Sequence, residues 1–311
     1  MAIYRIEPTG RTLHGAFSRD FEPVLAIEPG DTVEYRTLDA GWGLGAYLEA
    51  GVPRDKFEGR DEAKGTGHAL CGPVFVRGAE PGMALEVRIN RIVPGPFGFT
   101  VSGIWPNGVN ERLNVGVHEY VLAWTLDAQS MTGRNQLGHI VPLRPFMGVM
   151  GLPPAEPGIH STTPPRSTGG NIDCKELVAG TTLYLPIEVE GALFSVGDGH
   201  AAQADGELSG TAIECPMDNV SLTFSLRDDL QLKAPIAHTE EGWLTFGFDK
   251  DLDEAVLMAL DAMLHLMGRH HGLARHEALA LASVLVDMRV TQIVNQVRGA
   301  HAVLPHGAIK Q

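Results

Sequence analysis

At 311 residues, with 44% hydrophobic and 20% charged side chains, the chain has the composition of a globular protein and not of a disordered or fibrous one. Its 24 Lys and Arg stand against 38 Asp and Glu, a formal charge of −14 that repels polyanions and acidic lipid surfaces and argues against nucleic acid as main partner. No apolar run approaches the ~18 to 20 residues of a membrane span, MAIYRIEPTGRTLHG lacks the apolar core of a signal peptide, and the three cysteines have no paired spacing, so a cytoplasmic protein without a disulfide framework or CxxC zinc site is expected.

Glycine (37) and proline (20) punctuate the chain as far as Phe248 and cut it into short segments. In order, VLAIEPGDTVEYRT, MALEVRINRIV, HEYVLAWTL, TTLYLPIEVEGALFSV and NVSLTFSL mix β-branched and aromatic residues with alternation and read as strands. The first contains a turn candidate at Glu28 to Asp31, and the fourth another at Glu190-Gly191. Between the third and fourth lies LPPAEPGIHSTTPPRSTGG, from Leu152 to Gly170, whose prolines, glycines and hydroxyls forbid a regular element. Such a long, stiff loop is a candidate lid or wall of a site. The strand-turn spacing predicts a mainly β (α+β) fold, with a β-sandwich or barrel-like body and C-terminal helices, rather than a doubly wound βαβ sheet.

The pattern changes after Phe248. Asp251 with Glu254 resembles a capping box, and Val256, Leu260, Met263, Leu264 and Met267 recur at helical spacing up to about Gly268. From His276 to about Val297, Leu279, Ala282, Leu285, Val286, Arg289 and Ile293 form a second helical face, with a possible break before Val290. Residues 1–248 are thus read as a β-rich catalytic body and 249–311 as a helical segment packed on it, serving as cover or as a subunit interface of a homodimer. The methionines are expected in the core, and His270-His271 is read as a solvated connector between the two helices.

The densest group of ligand-type side chains is SVGDGHAAQADGELSGTAIE, from Ser195 to Glu214. On an extended backbone residues two apart share a side, so Asp198 can face with His200, and Asp205 with Glu207. A D-x-H pair alone is more often a polar turn. Its company changes the balance: GGNIDCKEL places Asp173 after two glycines, and His68 lies in GHALCGPVFV. A catalytic zinc takes about three N or O ligands and an open position, which Asp173, Asp198 and His200, or His68 in place of one of them, supply. Calcium or magnesium would prefer the oxygens, and the imidazole favours zinc.

The segments GHALCGPVFVRGAEPGMALEVRI, PFMGVMGLPP, STTPPRSTGGNIDCKEL, LYLPIEVEGALFSVGDGHAAQADGELSGTAIE and MRVTQIVNQVRGAHAVLP resemble the acetamidase/formamidase family over nearly the whole chain. Ala204 stands where many relatives have glycine, and Ile172 where many have methionine. The resemblance implies a mainly β hydrolase of short linear amides that uses a divalent metal, commonly zinc, and releases ammonia and a carboxylate. Amide hydrolysis needs a strong nucleophile, an oxyanion stabiliser and a proton shuttle. Glu214, in the buried-looking strand TAIE, is the first candidate for the shuttle and Glu207 the second, while Arg166 of the long loop is a candidate for orienting the carbonyl or binding the carboxylate product. Two other readings stay open: a thiol-dependent amidase using Cys71 or Cys174, and a β module that binds a metal or small ligand without turnover. The absence of GxGxxG, GxxxxGK and GxSxG removes the main sequence arguments for dinucleotide, P-loop and α/β-hydrolase chemistry.

Overall fold

A computed structural model of the protein describes residues 1–103, 108–116 and 118–310. The described residues form a mainly β fold built on two sheets that share one core. The larger has nine strands, in the order Ile3–Ile6, Thr32–Thr37, Met217–Arg227, Ala84–Pro94, Thr182–Pro186, Ile236–His238, Gly242–Asp249, Val297–Pro305 and Asp287–Asn295. The second runs Gly169–Asn171, Phe146–Gly151, Phe194–His200, Leu70–Val76 and Leu13–His14, with Leu25–Ile27 added parallel to Leu70–Val76. Tyr35, Val87, Leu185, Leu222 and Phe224 of the first meet Val74, Met147, Met150, Phe194 and Val196 of the second in one buried cluster. Strands buried on both faces explain why Phe146–Gly151 and Phe194–His200 are buried at every position and show no alternation of exposure. A four-stranded sheet, from Phe97–Ser102 through Tyr120–Asp127 and Thr132–Asn135 to Ile140–Pro142, folds as successive antiparallel pairs.

The two predicted turns close no hairpin. Leu25–Ile27 and Thr32–Thr37 lie in different sheets, as do Thr182–Pro186 and Phe194–His200, so each turn carries the chain from one layer to the other. At the first, Gly30 takes φ +94° and the Asp31 carboxylate accepts from the backbone N–H of Ala2 and Glu28, which fixes the crossing.

After Phe248 the first helix forms as predicted and runs to its end slightly later, over Leu252–His271. The Asp251 carboxylate accepts from Asp253 N at 2.8 Å, and Gly272 closes the helix in the left-handed conformation. Ala255, Ala259, Met263, Leu264, Leu266 and Met267 are its buried residues, so Met263 and Met267 are core while Met258 faces outward. Its backbone comes so close to the strand Gly242–Asp249 that a Cβ at Gly247 would stand 2.6 Å from Ala259 N. His270 and His271 are in the last turn of the helix instead of in a connector, and the His270 ring packs 4.9 Å from the Trp243 ring.

The second helical reading holds only over Arg275–Leu285. Asp287–Asn295 and Val297–Pro305 form a hairpin that continues the nine-stranded sheet through Val297–Pro305 on Gly242–Asp249. The β-branched residues Val290, Thr291, Ile293 and Val294 favour a pleated, half-buried surface, and the free edge of the sheet provides one. The segment 249–311 is therefore not all helical, and its hairpin is integral to the sheet of the body.

Candidate active site

Five ionisable side chains from four stretches of chain converge at one end of the second sheet. Asp198 and His200 come from the strand Phe194–His200, Asp173 from the turn after Gly169–Asn171, Glu207 from a turn, and Glu214 from a segment bridged to both His200 and Phe99. All five are buried, with relative exposures from 0 to 6%. His200 Nε2 lies 3.3 Å from Asp198 Oδ1 and 3.2 Å from Glu214 Oε1, and its Nδ1 lies 3.8 Å from Asp173 Oδ1. These approaches lack hydrogen-bond alignment: Asp173 Oδ1, both His200 nitrogens and Glu214 Oε2 are buried without a partner. The side chains are arranged around a point.

Gly148 keeps that point open. Met147 pairs with Gly199 and Val149 with Gly197, which sets Gly148 opposite Asp198 on the neighbouring strand. A Cβ there would stand 2.6 Å from both Asp173 Oδ1 and Asp198 Oδ2 and 2.8 Å from His200 Cε1. Three of the carboxylate-bearing residues also have positive φ: Asp173 (53°), Asp198 (59°) and Glu207 (47°). Strained backbone of this kind concentrates at functional sites.

Four carboxyls around one imidazole in a buried space set up a strong electrostatic conflict. Burial, with the Glu207 charge added, raises the Asp173 carboxyl well above its ordinary range, and burial raises Glu207 to about 8 and Glu214 to about 7. For Asp198 burial works the same way but is overcome by His200 and His68, which hold it below the ordinary range. For His200 burial opposes the charged form, but Glu214 and Asp198 prevail and raise it well above the usual imidazole value. A bound cation would relieve this conflict. Asp173, His200 and Glu207 each offer a ligand atom within 4.8 Å of one another, and so do Asp198, His200 and Glu214. Mixed nitrogen and oxygen donors, unpartnered atoms and a gap opened by glycine fit a divalent metal ion.

The i, i+2 rule works for Asp198 and His200 and fails for Asp205 and Glu207. Gly206 (φ +97°) and Glu207 sit in a turn, so Glu207 enters the cluster while Asp205 turns out to Lys175 at 2.8 Å. His68 is half-buried and belongs to neither ligand trio, although its charge acts on Asp198. Its Nδ1 lies 2.8 Å from Thr162 Oγ1, which also accepts from the His68 backbone N–H, so the long loop holds His68 beside the site. Arg166 is spent on its own loop: its guanidinium donates to the carbonyls of Ser161 and Pro164. The three cysteines are fully buried, and burial pushes the Cys71 thiol up to about 12 and those of Cys174 and Cys215 well above the ordinary range, which disfavours a thiolate nucleophile.

One site residue escaped the sequence reading. Asn295, on the C-terminal hairpin, donates from Nδ2 to Asp173 Oδ2 at 2.6 Å and to Glu207 Oε2 at 3.1 Å. The same strand holds the Glu207 turn, since Gly206 N–H donates to Thr291 O and Ile293 N–H donates to Gly206 O. The β-branched VTQIV run was the available signal, and a helical period obscured it.

The chain as a whole matches known proteins as well. The model of the Acetamidase/Formamidase family matches residues 5–161 and 155–308. The chain belongs to this family. It is 27% identical to an acetamidase of Mycolicibacterium smegmatis over 253 residues, a match that covers 63% of this chain and 61% of that protein, under two thirds of the relative's length. Among solved structures, the acetamidase of Bacillus halodurans superposes with a TM-score of 0.85 at 27% identity, covering 97% of each chain. A predicted acetamidase/formamidase of Thermoanaerobacter tengcongensis gives 0.84 at 27% identity, covering 98% of this chain and 96% of the other.

Proposed function

We propose that this protein hydrolyses short linear amides of the formamide or acetamide type, releasing ammonia and a carboxylate, in a reaction that depends on a divalent metal, zinc by preference. The observation that carries this reading is the buried set of four carboxyls and one imidazole around a gap opened by Gly148. Membership of the Acetamidase/Formamidase family supports the reaction class. Asp173, Asp198, His200 and one or both of Glu207 and Glu214 would hold the ion. When bound, a divalent cation supplies water activation near neutral pH and polarises a carbonyl.

The remaining work is that of the chain's own residues. Water must lose a proton and the leaving nitrogen must gain one, so one carboxyl must take and return it. Glu214 suits that role. Ala212 N–H fixes its Oε1 at 2.9 Å while Oε2 is free of partners. Glu207 is the second candidate, but Asn295 already engages it and orients it together with Asp173. His68, held by Thr162, borders Asp198 and is placed to meet a small polar substrate from the loop side.

Ammonia release from a panel of short amides, with and without a chelator, tests the reading. Activity that chelation abolishes and zinc restores is the expected result. Full activity in protein stripped of divalent metal overturns the metal-dependent mechanism, and no turnover of any amide by metal-loaded protein returns the molecule to the class of non-catalytic binding modules.

A further inference from the structure

A second group of ligand-type side chains lies apart from the five described above. Cys174, Glu176 and His301 each offer one ligand atom within 4.8 Å of one another, and all three are buried. Cys174 and Glu176 follow Asp173 on the same turn, while His301 comes from Val297–Pro305. The Cys174 thiol donates to Glu176 Oε2 at 3.1 Å. His301 Nε2 is 3.8 Å from that same oxygen and has no hydrogen-bond partner, although the residue has no exposed surface. Its other nitrogen, Nδ1, lies 2.8 Å from Thr291 Oγ1. With the hydroxyl accepting the Nδ1 proton, the tautomer that metal ligation through Nε2 requires, the Nε2 lone pair is directed at the cysteine and the carboxylate. A buried ring nitrogen without a partner beside a thiol and a carboxylate requires an account.

We infer that Cys174, Glu176 and His301 form a second metal site, which takes a thiophilic divalent ion, Zn²⁺, through Sγ, Oε2 and Nε2. One thiolate and one imidazole in three ligands exclude Ca²⁺ and Mg²⁺ as the preferred ions and suit zinc, which accepts three protein ligands with water in the fourth position. Binding displaces the Cys174 thiol proton to solvent, with no change of oxidation state. The surroundings hold the donors in place. Arg289 donates to Glu176 Oε1 at 2.9 Å, leaving Oε2 to face the trio, and Thr291 orients His301 as an outer hydrogen-bond partner does for metal-bound imidazoles. The site joins the turn that carries Asp173 to the hairpin that carries Asn295, so its effect is to pin two parts of the candidate active site together. It stands independently of the amide-hydrolysis reading.

Cobalt substitution in the full-length protein tests this inference, because sulfur ligation gives Co²⁺ a near-ultraviolet thiolate charge-transfer band that nitrogen and oxygen ligands cannot give. The five-residue site contains no sulfur. Cobalt-loaded wild type should show the band, and it should persist in Cys71→Ala and Cys215→Ala. Cys174→Ser should lose both the band and about one equivalent of bound metal while the metal of the five-residue site remains. His301→Gln, which keeps the thiol, should weaken the affinity of this site by roughly 10 to 100-fold or more, and it carries the comparison if Cys174→Ser fails to fold by circular dichroism. Wild type loaded with excess Co²⁺ that lacks the band overturns the inference without any variant. So does a folded Cys174→Ser or His301→Gln protein with unchanged metal stoichiometry and affinity. Amidase activity is not read, so failure here is distinct from failure of the proposed reaction.

Discussion

Replacing Gly148 with alanine adds one carbon at the centre of the candidate site and tests whether the gap there is functional. Gly148 does not have a positive φ, so alanine fits the backbone and the perturbation is purely steric. The new Cβ would stand 2.6 Å from two carboxylate oxygens, about 0.8 Å inside the 3.4 Å at which such contact becomes ordinary. The side chains it meets are buried: Asp198 and His200 belong to a strand paired on both sides, and Asp173 is held by Asn295, so the displacement falls on Asp173, Asp198 and His200 themselves. Ligand constellations tolerate errors of ~0.5 Å, and misplacement on the order of 1 Å costs ~10²-fold in rate. Gly148→Ala should therefore lower kcat/KM for the best amide by about 10²-fold and weaken metal binding by roughly 10 to 100-fold, with about 1 to 3 kcal/mol lost from overpacking. Steady-state ammonia release, metal content after dialysis and urea unfolding on the same preparation measure all three. A Gly148→Ala protein with wild-type kcat/KM and metal content refutes the argument that the ligands surround an open point.

Further outcomes follow from the same geometry. Glu214→Gln keeps its shape and the Ala212 contact but cannot shuttle a proton, so kcat should fall by about 10² to 10⁴-fold in folded, metal-loaded enzyme; full activity there, with Glu207→Gln inactive, transfers the role to Glu207. In metal-free protein, Glu207 and Glu214 have raised carboxyl pKa values, so they stay protonated in the folded state while the unfolded chain ionises above about 4.5. Stability of that form should accordingly be greatest in mild acid and fall as pH rises from about 4.5 to 8, and added Zn²⁺ should raise Tm more at pH 8 than at pH 5; an equal increment at both counts against carboxylate ligation. Cys71→Ala and Cys215→Ala should each keep most of kcat and lose only packing stability, and a dead but metal-replete variant of either would favour a thiol nucleophile.

Legibility differed from residue to residue for physical reasons. Asp198 and His200 could be read from the sequence because they lie two apart in one strand, and the structure keeps them 3.3 Å apart although Asp198 takes a left-handed φ of 59°. Asp205 could not be separated from Glu207, because the outcome depends on a left-handed turn at Gly206 and Glu207 that composition does not reveal. Gly148 was visible within PFMGVMG, but its function depends on which residue the partner strand sets opposite it. Asn295 was hidden by a conflict of periods: Leu279, Ala282 and Leu285 are helical, and continuing their spacing absorbed a stretch whose β-branched residues belong to a sheet edge. The turns at Glu28 to Asp31 and Glu190-Gly191 are legible as turns, but turn chemistry does not say whether the next strand stays in the same layer.

The position of the hairpin Asp287–Pro305 also bears on how the protein matures. Its two strands leave the ribosome after every other strand of both sheets, yet one of them supplies the amide that bridges Asp173 and Glu207, residues 122 and 88 positions earlier in sequence. Until that closure a nascent chain holds mutually repelling acids without the donor that reconciles them, and the edge of Gly242–Asp249 lies unpaired and available to other chains. Assembly of the chemistry is thus tied to the last strands of the two sheets in chain order. The interval before the hairpin docks is therefore a period in which that edge is exposed to aggregation.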